Sequence, residues 1–340
     1  MVTICLVLLN YNGTEDTIDC IESIEKTDHS GINLKVVVID NNSKNENIIN
    51  LENYLKENQK YHPDIFDEKS KYFLLKSNLN IGFAAGNNKA IRFAEEYFEV
   101  DYYLLLNNDT ILEKNSITEL LKGFSEENVG AASGLIIENS TKSKVWYAGG
   151  HISRLRAKGV HYHYGKNYNE LNLKKQNTRF LSGCYVMFKR EALINIQLLN
   201  ERYFFGTEEY DYSIKLTKFG YRLKFVPDSK IYHKVKIMDG NGSSHNIRDL
   251  IYVYNSMRNK YILTVSNEGY LVAKIWEGLS RLYIKFVLFK RLEKKYNNTI
   301  YNNKLKKMLY EYYKGNLNKK FVDNKEFNEV KMELTKKVNV

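Results

Sequence analysis

The sequence predicts an α/β protein: a mostly parallel sheet with helices on both faces, extended by helices at the C-terminal end. Short apolar runs alternate with segments of helical period from Val2 to Leu106, the pattern of strands joined by helical crossovers. Two of those runs end in a carboxylate, Asp40 and Asp109, each inside a polar cluster. Apolar residues make up 43% of the 340, enough for a sizeable core, and only 2 Pro and 19 Gly interrupt it.

Val2 to Leu9 reads as the first strand, followed by the loop Asn10-Tyr11-Asn12-Gly13. A helix follows from about Thr14, with Ile18, Ile21 and Ile24 at helical spacing. Lys35 to Ile39 is a second strand, ending in Asp40-Asn41-Asn42-Ser43, and a helix from Glu46 to Gln59 comes next. Lys60 to Lys69 reads as a loop and Lys71 to Leu75 as a third strand. The glycines and small residues of Asn80-Ile81-Gly82-Phe83-Ala84-Ala85-Gly86-Asn87-Asn88 would let a backbone approach a phosphate, and would equally serve as a tight turn before a helix from Gly86 to Glu96.

Tyr102 to Leu106 lacks polar alternation and reads as a buried strand, cut off by Asn107, Asn108 and Asp109. A carboxylate just past such a strand faces the crevice where α/β sheets bind ligands. Asp109 is a hard oxygen donor suited to Mg²⁺ or Mn²⁺, although Asn-Asn-Asp-Thr is also an ordinary turn sequence. A nucleotide could lie along this edge, its base near Asp40 and its diphosphate near Asp109.

The middle of the chain changes character. A helix is expected over Ser116 to Phe124, with short strands and turns over 130–136 and 144–150. Arg154 to Lys175 reads as a loop or flap, Phe180 to Phe188 as a strand, and Arg190 to Ile196 as a helix. Three carboxylates, Glu208, Glu209 and Asp211, then crowd behind the aromatic run Tyr203-Phe204-Phe205. Crowding and partial desolvation raise proton affinity, as a general base needs; the same residues also suit the N-terminus of a helix ending at Gly220. Tyr221 to Val226 should be a strand ended by Pro227-Asp228. His233 is either a metal ligand or a surface histidine. The Gly240 to Ser244 stretch separates it from a helix carrying Tyr252, Tyr254, Arg258 and Asn259. Over 270–291, Leu271, Ile275, Leu279, Leu282, Phe286 and Phe289 share one helical face beside Lys274, Arg281 and Lys285. That pattern fits an interfacial membrane helix and a helix packed on its own protein equally.

The net charge of +11 points to anionic partners without choosing among them. No zinc-ligand spacing or nucleic-acid-binding motif is present, so no nucleic acid is expected. Three dispersed cysteines, Cys5, Cys20 and Cys184, suggest buried thiols in a reducing compartment. The apolar N-terminal run reads as a strand rather than a signal peptide, and no run is long enough to span a bilayer.

Six ordered motifs resemble family 2 glycosyltransferases of GT-A fold: Val7 to Asn12, Val38 to Ser43, Asn80 to Asn88, Leu106 to Asp109, Glu208 to Asp211, and Pro227 to His233. The nearest likeness is to the bacterial branch that includes rhamnosyltransferases and other builders of cell-surface polysaccharide. The resemblance implies a Rossmann-like GT-A domain over 1–262, with a nucleotide-sugar half to 125 and an acceptor and base half beyond it. A basic helical extension over 263–340 would then be open to membrane-surface or oligomer contact.

By the same resemblance, Asn10 and Tyr11 line the nucleotide pocket, Asp40 bonds the base, and Asn80, Gly82 and Asn88 shape the donor site. Asn107, Asn108 and Asp109 stand for a D-x-D-type motif whose first carboxylate is Asn, with His233 as a second ligand for Mn²⁺ or Mg²⁺. Glu209 stands at the catalytic base, with Glu208 and Asp211 as alternatives. The activity implied is inverting transfer from a UDP- or dTDP-sugar to a saccharide hydroxyl, lipid-linked in such pathways, in the cytoplasm or at the inner face of the membrane. A sugar-nucleotide-binding protein without transfer is the alternative. A nucleotidyltransferase would carry a basic Gly-rich loop where Asn10-Tyr11-Asn12-Gly13 stands.

Overall fold

A computed structural model describes residues 1–58, 67, 69–153, 158–235 and 248–290, with positions 307, 310, 311, 314, 315 and 317. The chain divides into two compact units, one of Met1–Asn200 with Glu208–Ile237 and one of Glu201–Thr207 with Met238–Val340. The division falls before the expected boundary at 262, because the long helix preceding it groups with the C-terminal helices.

The first unit opens with the alternation read from the sequence: β1 (Val2–Asn10), α1 (Thr14–Glu25), β2 (Ile32–Asp40), α2 (Asn45–Glu57), β3 (Tyr72–Lys76), α3 (Phe83–Tyr97) and β4 (Tyr102–Asn107). It continues through β5 (Thr110–Leu112), α4 (Ser116–Leu121), β6 (Val129–Glu138), β7 (Val145–Tyr147), β8 (Gly150–Ser153), β9 (Lys158–His161) and β10 (Gln176–Thr178). β11 (Tyr185–Lys189), α5 (Arg190–Asn195), α6 (Glu208–Lys218) and β12 (Arg222–His233) complete it.

The main sheet runs β10-β12-β6-β11-β4-β1-β2-β3, with β5 and β7 pairing at its side. β4, β1, β2 and β3 are parallel, so their C-terminal ends share one edge. β11 inserts antiparallel between β4 and β6, and β12 runs parallel to β6. Side chains alternate along β1. Ile4, Leu6 and Leu8 pack with Ile21, Leu51 and Leu120 on one face, while Cys5 and Val7 pack with Ala90, Ile91 and Leu216 on the other. Two cores, one on each face, are what a sheet with helices on both sides requires.

Several boundaries differ from the sequence reading. α3 begins at Phe83, a turn before Gly86, because Gly82 already supplies the left-handed φ of +86° that ends the loop. The strand expected over 180–188 is only Tyr185–Lys189; Phe180 to Cys184 is buried loop, which apolar content alone cannot distinguish from strand. The segment read as a flap carries β9, which pairs with β8 in a hairpin, and a 3₁₀ turn at Tyr168–Glu170. Pro227 does not end β12. The strand absorbs it in an irregularity between Val226 and Lys230, where a missing N–H costs no ladder bond, and runs on to His233. Most of the 60–69 loop, residues 154–157 and the 240–244 stretch lie outside the described residues.

The second unit contains α7 (Arg248–Glu268) and α8 (Tyr270–Tyr283), which continues as a π-helical turn over Ile284–Leu288. Arg258 Nη1 donates to the Arg202 carbonyl at 2.9 Å. Asn259 Nδ2 donates to the carbonyls of Phe205 at 3.1 Å and Gly206 at 2.8 Å. α7 therefore holds the loop that leads into α6 by its backbone. Among the described residues no helix is long and apolar enough to cross a membrane.

Candidate active site

The shared strand edge is built from polar side chains that bond one another. Asn10 is fully buried: its amide donates to Asp40 Oδ1 at 2.8 Å, while its oxygen accepts from the Gly13 N–H and the Thr17 hydroxyl. Asp40 is 3% exposed, and its second oxygen accepts from the Ser43 N–H at 2.9 Å. Both residues thus brace the loops after β1 and β2 from behind. Tyr11, the residue after Asn10, is 49% exposed.

Asn41 extends the brace to the third loop. It donates to Asn80 Oδ1 at 2.9 Å and the Gly82 carbonyl at 3.1 Å, and accepts from the Ile81 N–H. Asn80 and Gly82 are thereby fixed at the N-terminus of α3. Asn88 lies deeper, exchanging bonds in both directions with the Leu199 backbone, so its part in shaping this edge is as a clamp between α3 and the turn after α5.

At the end of β4 the Asn107 N–H donates to the Cys184 carbonyl at 2.9 Å. Asn108 turns toward α1, donating to the Thr17 hydroxyl at 2.9 Å and the Gly13 carbonyl at 3.3 Å. Asp109 stays part-exposed, with His233 Nε2 3.2 Å from its Oδ1. That contact is out of hydrogen-bond alignment: both ring nitrogens of the buried His233 have no hydrogen-bond partner. His233 is therefore not a surface histidine. It arrives here because β12 runs past Pro227 and pairs with β5, His233 opposite Thr110. Lys234, the next residue, donates its N–H to the Asp109 carbonyl and its ammonium to Asp16 and Asp19 of α1.

A buried imidazole with unspent nitrogens beside an open carboxylate fits a divalent cation of the Mn²⁺ or Mg²⁺ type. Among the described residues no group of three or more His, Cys, Asp or Glu is arranged to hold a metal ion. Asp109 and His233 are thus the two residues that could hold such a cation at this point.

The three candidate bases separate by environment. Asp211 is buried and paired with Lys215 at 2.7 Å. Glu208 is buried in the first turn of α6. Glu209 accepts from the Gly183 N–H at 3.0 Å. Burial pushes its carboxyl up to about 7, against the opposing pull of that N–H and of the Tyr210 hydroxyl. Gly183 adjoins Cys184, whose carbonyl holds Asn107, so two backbone residues separate the Glu209 contact from the strand end that carries Asp109. The Cys184 thiol lies well above its ordinary range through burial, with the charges of Asp109 and Glu209 adding to the effect.

A path of rings joins the same two points. His233 meets Trp146 at 4.8 Å, Trp146 meets His161 at 4.9 Å, His161 meets Phe180 at 5.4 Å, and Phe180 meets Tyr210 at 5.4 Å. Sequence reasoning did not find Asn41, Gly183, Trp146 or His161. Each acts through a partner distant in sequence, and no local spacing marks it.

The pattern described as Glycosyl transferase family 2 matches residues 5–197, more than half of the chain. The chain belongs to glycosyl transferase family 2. It is 25% identical over 229 residues to an N-acetylglucosaminyltransferase of Bradyrhizobium diazoefficiens, a match covering 64% of this chain and 42% of the relative, so it spans less than half of that protein's length. Among solved structures it resembles GalNAc-T7 bound to UDP, GalNAc and Mn²⁺ (TM-score 0.57, 16% identity, 78% of this chain and 48% of that one). It also resembles the mannosyltransferase PcManGT of Pyrobaculum calidifontis bound to GDP-Man and Mn²⁺ (TM-score 0.51, 13% identity, 98% and 85%). A third likeness is to S. aureus TarS 1-349 (TM-score 0.50, 14% identity, 95% and 81%). At these identities the likeness shows the fold: a GT-A-like sheet with flanking helices, followed by C-terminal helices.

Proposed function

We propose that this family 2 protein is an inverting glycosyltransferase that moves a sugar from a UDP- or dTDP-linked donor to a hydroxyl of a saccharide acceptor. The observation that carries the reading is the pairing of two unlike groups across Gly183 and Cys184. One is the open Asp109 with the unspent His233; the other is Glu209, whose affinity for a proton suits it to exchange one near neutral pH.

Tyr11 would stack on the base, with Asp40, Asn80 and Gly82 holding the loops beneath it. Asp109 and His233 would hold Mn²⁺ or Mg²⁺ on the diphosphate; when bound, such a cation offsets the charge that builds on the leaving group. Glu209 takes the proton of the acceptor hydroxyl. The acceptor oxygen then bonds to the anomeric carbon as the bond to the diphosphate breaks on the opposite face, and the nucleoside diphosphate leaves with the electron pair. The configuration inverts. The ring path from Trp146 to Tyr210, with Phe180 buried at its centre, packs the segment between the two ends of this reaction. A lipid-linked saccharide of cell-surface polysaccharide synthesis is the acceptor class we favour, with deoxyhexose donors such as dTDP-rhamnose among those to try.

The test is a thermal-shift screen of nucleotide sugars with and without Mn²⁺, followed by transfer assays. Asp109→Ala should abolish the Mn²⁺-dependent part of donor binding. Glu209→Gln should keep donor binding and lose transfer. Transfer at the wild-type rate by Glu209→Gln would overturn the base assignment. Donor binding by the wild type with no transfer to any saccharide would favour a sugar-nucleotide-binding protein instead.

A further inference from the structure

α8 is amphipathic in the unexpected sense. Its small and polar residues Ala273, Glu277 and Ser280 are buried, and Ile284 continues that face. Its large apolar residues Leu271, Ile275, Leu279, Leu282 and Phe286 are 55–79% exposed. At about 100° per residue these five fall within roughly 80° of arc, and the exposed Val272, Tyr283 and Val287 widen the apolar face on one side of it. Isolated exposed leucines need no explanation, but a contiguous stripe does.

The flank of the stripe is basic. Lys274, Arg281 and Lys285 lie together along one side. Lys274 and Arg281 share the single carboxylate of Glu277, which leaves the flank net positive and fixes both cations beside the stripe. Lys285 lies over the Phe286 ring with its ammonium 5.3 Å from the centroid. Lys290 adds a further cation on the opposite flank. The helix is too short and too charged to cross a bilayer, and no described helix meets the requirement for doing so. Apolar side chains facing out, cations at their margin that can reach upward to headgroups, and a length that forbids spanning together describe a helix lying in the plane of a membrane surface.

We propose that α8 docks this protein onto an anionic lipid surface, with Leu271, Ile275, Leu279, Leu282 and Phe286 entering the acyl boundary and Lys274, Arg281 and Lys285 meeting the headgroups. The inference is independent of the transfer chemistry, although it would bring a lipid-linked acceptor to the enzyme. The choice of lipid over another protein rests on the charge. A partner protein needs a matching acidic rim at one place, whereas an anionic bilayer supplies negative charge wherever the helix lands.

The test is co-flotation of the full-length protein with vesicles of phosphatidylglycerol mixed into phosphatidylcholine, and with phosphatidylcholine alone. The wild type should float with the anionic vesicles, at least tenfold more than with the neutral ones, and should release as salt rises. The double variant Ile275→Glu, Leu279→Glu should lose at least tenfold of the bound fraction, and Lys285→Glu should lose a smaller part. These side chains are exposed, so the variants fold; an unchanged Mn²⁺-dependent thermal shift with the donor confirms it and keeps this outcome separate from failure of the transferase reading. Equal flotation with neutral vesicles, undiminished flotation of the double variant, or no flotation by the wild type overturns the proposal. So does concentration-dependent dimerisation that the double variant abolishes while vesicles are ignored, which would make the stripe a contact between copies of this chain.

Discussion

Replacing Glu209 by Gln should make the protein more stable at alkaline pH while disabling it. In the unfolded chain the carboxyl titrates near its ordinary 4.5; in the fold, burial holds it at about 7. The folded state therefore binds the proton more tightly. Between about pH 4.5 and 7 stability falls as pH rises, and the full cost is present above about 7. At about 1.4 kcal/mol per pH unit, that cost reaches about 3 kcal/mol. Gln keeps an oxygen for the Gly183 N–H and removes only the charge. The variant should thus gain up to about 3 kcal/mol above pH 8, and nothing below about pH 4, where both side chains are neutral. Urea unfolding read by Trp146 emission in a Trp276→Phe background isolates the sheet unit, because the chain has only 2 Trp. Transfer by the same variant should fall about 10²- to 10⁴-fold. A stability gain that is equal at both pH values, or a loss at alkaline pH, would show that Glu209 is not desolvated, and the reasoning that singles it out from Glu208 and Asp211 would fail.

Gly134→Ala should cost about 1–3 kcal/mol in chemical denaturation, because a Cβ there runs into the Ser229 carbonyl oxygen where β6 and β12 meet at the irregularity. Tyr11→Ala should raise the donor KM about tenfold with kcat and stability unchanged, as loss of one base-stacking face predicts; an unchanged KM would remove Tyr11 from the pocket. Lys234→Met frees Asp16 and Asp19 of α1 and should lower melting stability by up to about 1 kcal/mol at low salt, the difference shrinking as salt screens the pairs.

The parallel half of the fold was legible because its signals are local. β1 to β4 are apolar runs of strand length, and each of β1, β2 and β3 is followed by its own helix. The edge they build was legible for the same reason: Asp40 and Asp109 announce themselves as the polar stop after an apolar strand. Roles within that edge were harder to read, since Asn10 and Asn88 share a residue type with Asn80 and differ only in what their amides meet. The antiparallel half resisted because its pairing is long-range. Nothing near Pro227 says that β6 will carry β12 past it, and only that continuation brings His233 to Asp109. Exposure of the α8 stripe was equally hidden: the i, i+4, i+8 spacing of Leu271, Ile275 and Leu279 is the same whether the face packs inward or outward.

In the proposed mechanism the two carboxylates at the centre are given different work by solvent rather than by residue type. Asp109 sits at a strand end open to water, where a carboxylate stays available to a cation. Glu209 accepts one backbone N–H in a desolvated setting that pushes its carboxyl up to about 7. What couples them is the register of β11 on β4, with Tyr185 opposite Leu106. That pairing puts the Cys184 carbonyl on Asn107 and leaves the Gly183 N–H for Glu209. A slip of one residue would turn the buried Val186 and Phe188 to the opposite face and separate the two carboxylates in the same step. The strand that keeps the core in order therefore also sets the spacing between Asp109 and Glu209.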